Sequence, residues 1–310
     1  MRLLTLNITE ELAGRTVKSL LEYRLRLPAH LIAVLKRREG ALALDGRPCR
    51  TVDRVRAGEV LTADVEDAPL VRQVPPCAVL PDIAYEDEDL AVIRKSARMA
   101  VHGEMREDAP TVEQMLAAYW GSGRPFHPVN RLDKGTSGLM AVAKSGYAHE
   151  RLRQQLHTED FVREYLAVLG AAPPEEKGSI TLPLARESAS SVRRVPSGDG
   201  QSARTDYEVL ARGENAAVVR VRLQTGRTHQ IRAHFAALGC PLLGDPLYGG
   251  REEGLTHPAL HSAFLSLRQP VTGAQIRCTA ELPEDLKALL ARCNFAPHTL
   301  EILCRERYTE

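Results

Sequence analysis

The sequence predicts an α+β chain, with a large unit on a mixed, largely antiparallel sheet preceded by a small α/β module. Three observations carry this. Segments with strand character outnumber helical ones and do not alternate with them regularly, which disfavours a doubly wound nucleotide-binding sheet. The stretch Ala68–Pro81 has four prolines in fourteen residues and separates two parts of the chain. Charge is also unevenly spread. Eleven Lys/Arg stand against four Asp/Glu between Arg15 and Arg56, a net of +7, whereas the whole 310-residue chain carries +1.

The basic segment reads helix, turn, helix, strands. Val17, Leu20, Leu21 and Leu25 recur at helical spacing across Thr16–Leu25. Pro28 suits the start of a second helix with Leu31, Ile32, Val34 and Leu35 on its apolar side. Lys36, Arg37 and Arg38 close that helix, where cations complement its dipole, and Gly40 stops it. Ala41–Leu44 and Val60–Val65 are strands, and Asp45-Gly46 is a hairpin turn. In isolation the triplet Lys36-Arg37-Arg38 fits a solvated helix end as well as a phosphate contact; the local excess of cations favours phosphate.

Past the prolines, two short strands flank a turn at Glu86–Asp89, and Val112–Trp120 is a helix. Leu139–Ala143 is a strand, Tyr147–His157 a helix and Val162–Leu169 a strand. Ala203–Leu210 and Ala216–Leu223 are strands about a turn at Gly213–Asn215, and Thr228–Leu238 is a helix.

Two clusters of polar residues invite a chemical reading. In Asn130–Met140, NRLDKGTSGLM, glycines and hydroxyl residues form a tight turn that presents Asp133, and Thr136 and Ser137 can donate to a nearby carboxylate or bond their own backbone. Alone, Asp133 is better explained as a surface ion pair with Arg131 or Lys134. In Thr225–Cys240, Arg227, His229, Gln230, Arg232 and His234 fall at the start of a helix, where the two arginines suit an anion. Tyr165 lies within an apolar strand, where a tyrosine is ordinarily core.

Taken together, NRLDKGTSGLMAVAKS, REYLAVLG, TGRTHQIRAHFAALGCPLLGDPLYGG and LHSAFLSL resemble, in order and spacing, the signature of the RluA-type family of RNA pseudouridine synthases. Leu27–Leu61 resembles the S-four-like RNA-binding domain, a usual companion in that family. The resemblance implies an RNA-binding domain over 1–75, a catalytic domain over 76–310, and isomerisation of uridine in structured RNA without a cofactor. Large-subunit ribosomal RNA is the favoured partner and transfer RNA the alternative; a second reading is a non-enzymatic RNA-binding or ribosome-assembly factor on the same scaffold, which need not keep Asp133, Tyr165 and Arg232 together. The resemblance further implies that Asp133 is the nucleophilic or general-base carboxylate. Tyr165 lines the base pocket, and Arg232 pairs with the aspartate and holds it ionised. Arg131 fills the gap left by the flipped uridine. Arg227 and His229 shape the pocket or bind phosphate, while Lys36, Arg37 and Arg38 contact RNA. The chain departs from the family at Asn130, where His is common, and at Ser96-Ala97-Arg98 after Lys95, where Pro-Ala-Gly is common.

Other classes find little support. The six cysteines have no C-x-x-C spacing, and histidines five apart in Thr225–Cys240 do not share a helix face, which disfavours a zinc site. No phosphate-loop, H-E-x-x-H or dinucleotide motif is present. No apolar run suits a signal peptide or a membrane span, so a cytoplasmic protein is expected.

Overall fold

Backbone capping fixes the first helices. In the computed structural model, which describes residues 2–68, 74–75, 77–103 and 109–295, Thr16 Oγ1 accepts from the Ser19 amide at 3.3 Å and starts α1 (Val17–Tyr23). Residues 69–73 and 76 of the proline-rich stretch lie outside the described residues. Pro28 precedes α2 (Ala29–Arg37), which buries Ile32 and Leu35. Val34, expected on that apolar side, is 55% exposed, because the buried stripe runs through Ile32 and Leu35 and turns Val34 away.

These helices accompany a four-stranded antiparallel sheet of β1 (Leu3–Asn7), β2 (Leu42–Leu44), β3 (Arg47–Pro48) and β4 (Val60–Asp64), in the order β1-β4-β2-β3. Both turn residues between β2 and β3, Asp45 (φ 46°) and Gly46 (φ 76°), are left-handed, as a tight hairpin requires. The arrangement is that expected of an S-four-like module, with β1 added by a segment whose pattern predicted no strand. Its core extends to Tyr147, whose hydroxyl donates to the Leu25 carbonyl at 3.1 Å. Arg2 also reaches across, with Nε and Nη2 each 2.7 Å from a carboxylate oxygen of Asp89.

The second sheet has ten strands: β5 (Ile83–Glu86), β6 (Leu90–Lys95), β7 (His127–Pro128), β8 (Ser137–Ala143), β9 (Val162–Leu169), β10 (Lys177–Ile180), β13 (Thr205–Arg212), β14 (Ala217–Leu223), β15 (Leu260–Arg268) and β16 (Gln275–Thr279). A hairpin of β11 (Leu184–Arg186) and β12 (Arg194–Pro196) stands apart from it. The order is β10-β13-β14-β9-β15-β8-β6-β5, with β7 on β8 and β16 on β15. All pairs are antiparallel except β8 with β15. Helices α3 (Val112–Trp120), α4 (Gly146–Gln155), α5 (Gln230–Ala237) and α6 (Glu284–Arg292) complete the fold.

The centre of this sheet is apolar on both faces. Along β8, Met140 and Val142 join a cluster with Tyr165, Val219, Val221 and Phe235, while Leu139, Ala141 and Ala143 join Ala148, Leu152 and Leu265. Within the parallel pair Gly138 (φ 103°) lies against Ser262, and a Cβ there would fall 2.2 Å from the Ser262 carbonyl oxygen. Gly138→Ala is therefore expected to destabilise the fold by about 3 kcal/mol or more, since strain and a backbone clash coincide. Denaturant unfolding would measure it, and a change below about 1 kcal/mol would contradict this account of the strand crossing.

Candidate active site

The turn before β8 carries Asp133. Asn130 is buried, and its side-chain oxygen accepts from the Ala141 amide at 2.8 Å, which pins the start of the turn to β8. The Thr136 amide closes the turn on the Asp133 carbonyl at 3.0 Å. Neither neighbouring hydroxyl bonds the Asp133 carboxylate or the backbone of the turn. Ser137 Oγ is paired with His261 Nδ1 at 2.8 Å, and Thr136 Oγ1 is buried without a partner.

Lys95 steadies the turn from below. Its buried ammonium donates to the carbonyls of Ser96 and Met99, each at 2.8 Å, and of Lys134 at 3.3 Å. Burial pushes it down to about 7 against the pull of Asp133. The altered turn after Lys95 thus still ties to the backbone beside Asp133.

Asp133 shares a cavity of about 490 Å³ with Tyr165, Arg131, Arg227 and Arg232. Tyr165 projects from β9 and is 4% exposed. Burial raises its phenol above the usual range; Arg163 and Ser262 oppose this and Asp133 adds to it, so the hydroxyl stays protonated near neutral pH. Arg131 is exposed. Arg227 Nε donates to the Ser202 carbonyl at 3.0 Å.

Arg232 reaches the cavity from α5. Its Nη1 is 3.8 Å from Asp133 Oδ2, so the expected pair exists as a loose contact. Its tight partner is Asp245, fully buried, which takes Nε at 2.7 Å and Nη2 at 2.8 Å. Tyr248 lies against the guanidinium, 5.0 Å from ring centroid to Cζ, and its hydroxyl accepts from the Arg194 amide at 2.8 Å. Asp245 and Tyr248 were not singled out from the sequence, although a lone acid in the apolar run Cys240–Tyr248 was a usable signal.

The rest of the α5 cluster divides. His229, left-handed at φ 55°, stands before the helix with Nδ1 3.3 Å from Tyr248 Oη. Burial pushes its imidazole below the usual range, and the pull of Asp133 offsets this in part. Gln230 bonds Thr225, Arg204, Thr205 and the Arg227 amide, and His234 bonds Thr205 and the Leu182 carbonyl; both brace the fold. In the N-terminal module Lys36 and Arg37 are exposed. Arg38 instead turns onto its own module, donating to the carbonyls of Asp64 and Glu66 and pairing with the Asp64 carboxylate at 3.2 Å.

Among the described residues no three His, Cys, Asp or Glu side chains stand together as metal ligands. No helix there is long and apolar enough to cross a membrane.

Residues 89–237 match the family described as RNA pseudouridylate synthase. The chain is 34% identical over 260 residues to the uncharacterized RNA pseudouridine synthase YlyB of Bacillus subtilis, covering 82% of this chain and 86% of that protein. It is 35% identical over 275 residues to ribosomal large subunit pseudouridine synthase D of Xanthomonas campestris, covering 82% and 81%. Among solved structures, human RNA pseudouridylate synthase domain containing 4 aligns with a TM-score of 0.56 and 25% identity, over 68% of this chain and 92% of that one. On this similarity, and with the same motifs lining one cavity, the chain belongs to the RluA-type RNA pseudouridine synthases, enzymes that isomerise uridine in RNA.

Proposed function

We propose that this synthase modifies specific uridines of large-subunit ribosomal RNA in the cytoplasm, with Asp133 as the reacting carboxylate. The observation that carries the site assignment is the meeting of Asp133, Tyr165 and Arg232 in one cavity. The ribosomal target is supported by several relatives of about one-third identity that are named large-subunit synthase D. The target base leaves its stack to enter the cavity, and exposed Arg131 fills the gap. Arg232 sets its positive charge beside the carboxylate, and Tyr165 offers an aromatic face and a hydroxyl to the base. Asp133 attacks the ribose or the uracil, or takes a ribose proton; the bond from ribose to the ring nitrogen breaks, the uracil turns and rejoins through carbon, and that carbon gives up its proton while the freed nitrogen gains one. Arg227 in the cavity wall, and His229 beside Tyr248 outside that wall, shape the site or bind phosphate. Pseudouridine mapping tests this in a strain lacking the protein. Sites should vanish from large-subunit RNA and return with the intact chain but not with Asp133→Asn. Loss confined to transfer RNA would move the target there.

Residues 1–75 act in this reading as an RNA-binding domain and 76–310 as the catalytic domain. Lys36 and Arg37 meet phosphates directly, and Arg38 shapes that surface from within the module. Removing 1–75 should weaken RNA binding at least about tenfold at moderate salt and flatten its salt dependence. Filter binding across a salt series checks this, and equal affinity at every salt concentration would remove the module from the RNA interface. Turnover should need no metal or organic cofactor, because the isomerisation is redox-neutral. Activity lost on dialysis against chelator and restored by one particular metal would overturn that expectation.

A further inference from the structure

Three guanidinium groups among the described residues are buried: Arg163, Arg220 and Arg232. Two have carboxylate partners, Arg232 with Asp245 at 2.7 Å and Arg220 with Glu208 at 3.0 Å. Arg163, 5% exposed, forms no ion pair with a described residue. Its Nη2 makes two long bonds, to the carbonyls of Leu156 at 3.4 Å and Leu223 at 3.5 Å, and its Nε has no partner. The Phe161 ring stands 5.8 Å from Cζ and offers a polarisable face without net charge. Tyr165 cannot serve as counter-ion, since burial keeps its phenol neutral. An uncompensated buried cation is costly, so a protein keeps one where an anion arrives to meet it.

The position of Arg163 says where that anion comes from. Arg163 lines the same cavity as Asp133, Tyr165 and Arg227. It precedes Tyr165 by two residues on β9, so both side chains leave the same face of the strand, with their Cα atoms ~6.6 Å apart. That is comparable with the separation of a base from its own phosphate in a nucleotide. Gly226 leaves space for the head group; a Cβ there would lie 3.0 Å from Arg163 Nη1. Two carbonyls already face the guanidinium, so the missing element is negative charge. Uracil is neutral and cannot bring it, whereas the RNA backbone can.

We propose that Arg163 is an anion subsite in the cavity wall that receives a phosphodiester adjoining the target uridine, so that the substrate supplies its counter-charge. This rests on the RNA isomerase reading. It differs from a merely structural role, in which Arg163 staples the end of α4 to the end of β14 through the Leu156 and Leu223 carbonyls.

The test uses the full chain and an RNA hairpin carrying a uridine that the wild-type protein is found to modify. Single methylphosphonate linkages neutralise each phosphate around that uridine in turn. One adjoining linkage should weaken binding about tenfold, and Arg163→Gln should weaken binding of the unmodified hairpin to a similar extent. The two losses should not add, because both remove the same contact. Arg163→Lys should keep most of the affinity, since it keeps the charge. Additive losses at every linkage would overturn the subsite. So would a melting temperature lowered by Arg163→Gln with unchanged affinity, which is the signature of the staple. If Arg163→Gln does not fold, the linkage series on the wild-type protein decides, and no sensitive adjoining linkage refutes the proposal. If the wild-type chain modifies no uridine in cellular RNA, the isomerase reading falls and takes the subsite with it. Modification with no sensitive linkage removes the subsite alone.

Discussion

Asp133→Asn is expected to lower single-turnover isomerisation by at least about a thousandfold while leaving RNA affinity and the melting temperature close to those of the parent. The substitution keeps the side chain's volume and one acceptor oxygen. It removes the charge and the pair of equivalent oxygens that a nucleophile or base needs. The fold has little stake in that charge. Asp133 is 26% exposed, and its contact with Arg232 is long, at 3.8 Å, while the turn around it is set by the Asp133 carbonyl and by Asn130 and Lys95. Affinity should hold because cations such as the exposed Lys36 and Arg37 make the phosphate contacts in the proposed complex. Rates at saturating enzyme isolate the chemical step from binding. A rate within about tenfold of the parent would remove Asp133 from the reaction.

Much of the fold was legible because it is written locally. The Thr16 cap, the Asp45-Gly46 turn and the uninterrupted apolar run of β8 each reflect neighbours within a few residues. What escaped depends on distant partners or weak patterns. The parallel pairing of β8 with β15 joins residues more than a hundred positions apart, and no local pattern fixes it. The hairpin of β11 and β12 spans the serine-rich turn Ser188–Ser191 and lacks a clear alternation. The helix α6 had readable signals in Pro283, the acids Glu284 and Asp285, and Arg292 at its end, yet it stood outside the motif-bearing segments. The site shows the same divide. Asp133, Tyr165 and Arg232 came from motif resemblance and do line one cavity. Lys95 and Arg163 stood in the quoted segments, but only their burial and contacts gave them a part, and only the three-dimensional approach of the Asp245 loop to α5 revealed the tight partner of Arg232.

Arg232 and Asp245 should behave as one charged unit. Arg232→Met should lower turnover at least about a hundredfold and cost about 3–5 kcal/mol of stability, because it strands the fully buried Asp245 carboxylate without a counter-ion. Arg232→Lys should recover part of each loss, since an ammonium restores charge but cannot occupy both Asp245 oxygens as Nε and Nη2 do at 2.7 and 2.8 Å. Asp245→Asn keeps the shape while removing one charge. The guanidinium then loses its fixed plane, so Nη1 is no longer held toward Asp133, and turnover at saturating RNA should fall about tenfold or more with affinity little changed. The double variant Arg232→Met/Asp245→Asn gives the sharpest reading. It leaves no buried ion behind, so it should unfold at higher denaturant than Arg232→Met alone while remaining as inactive. Two outcomes would sink this account. Near-normal turnover of Arg232→Met at saturating RNA would make the arginine an RNA-backbone contact, and a double variant no more stable than the single one would show that Arg232 is not what compensates the burial of Asp245.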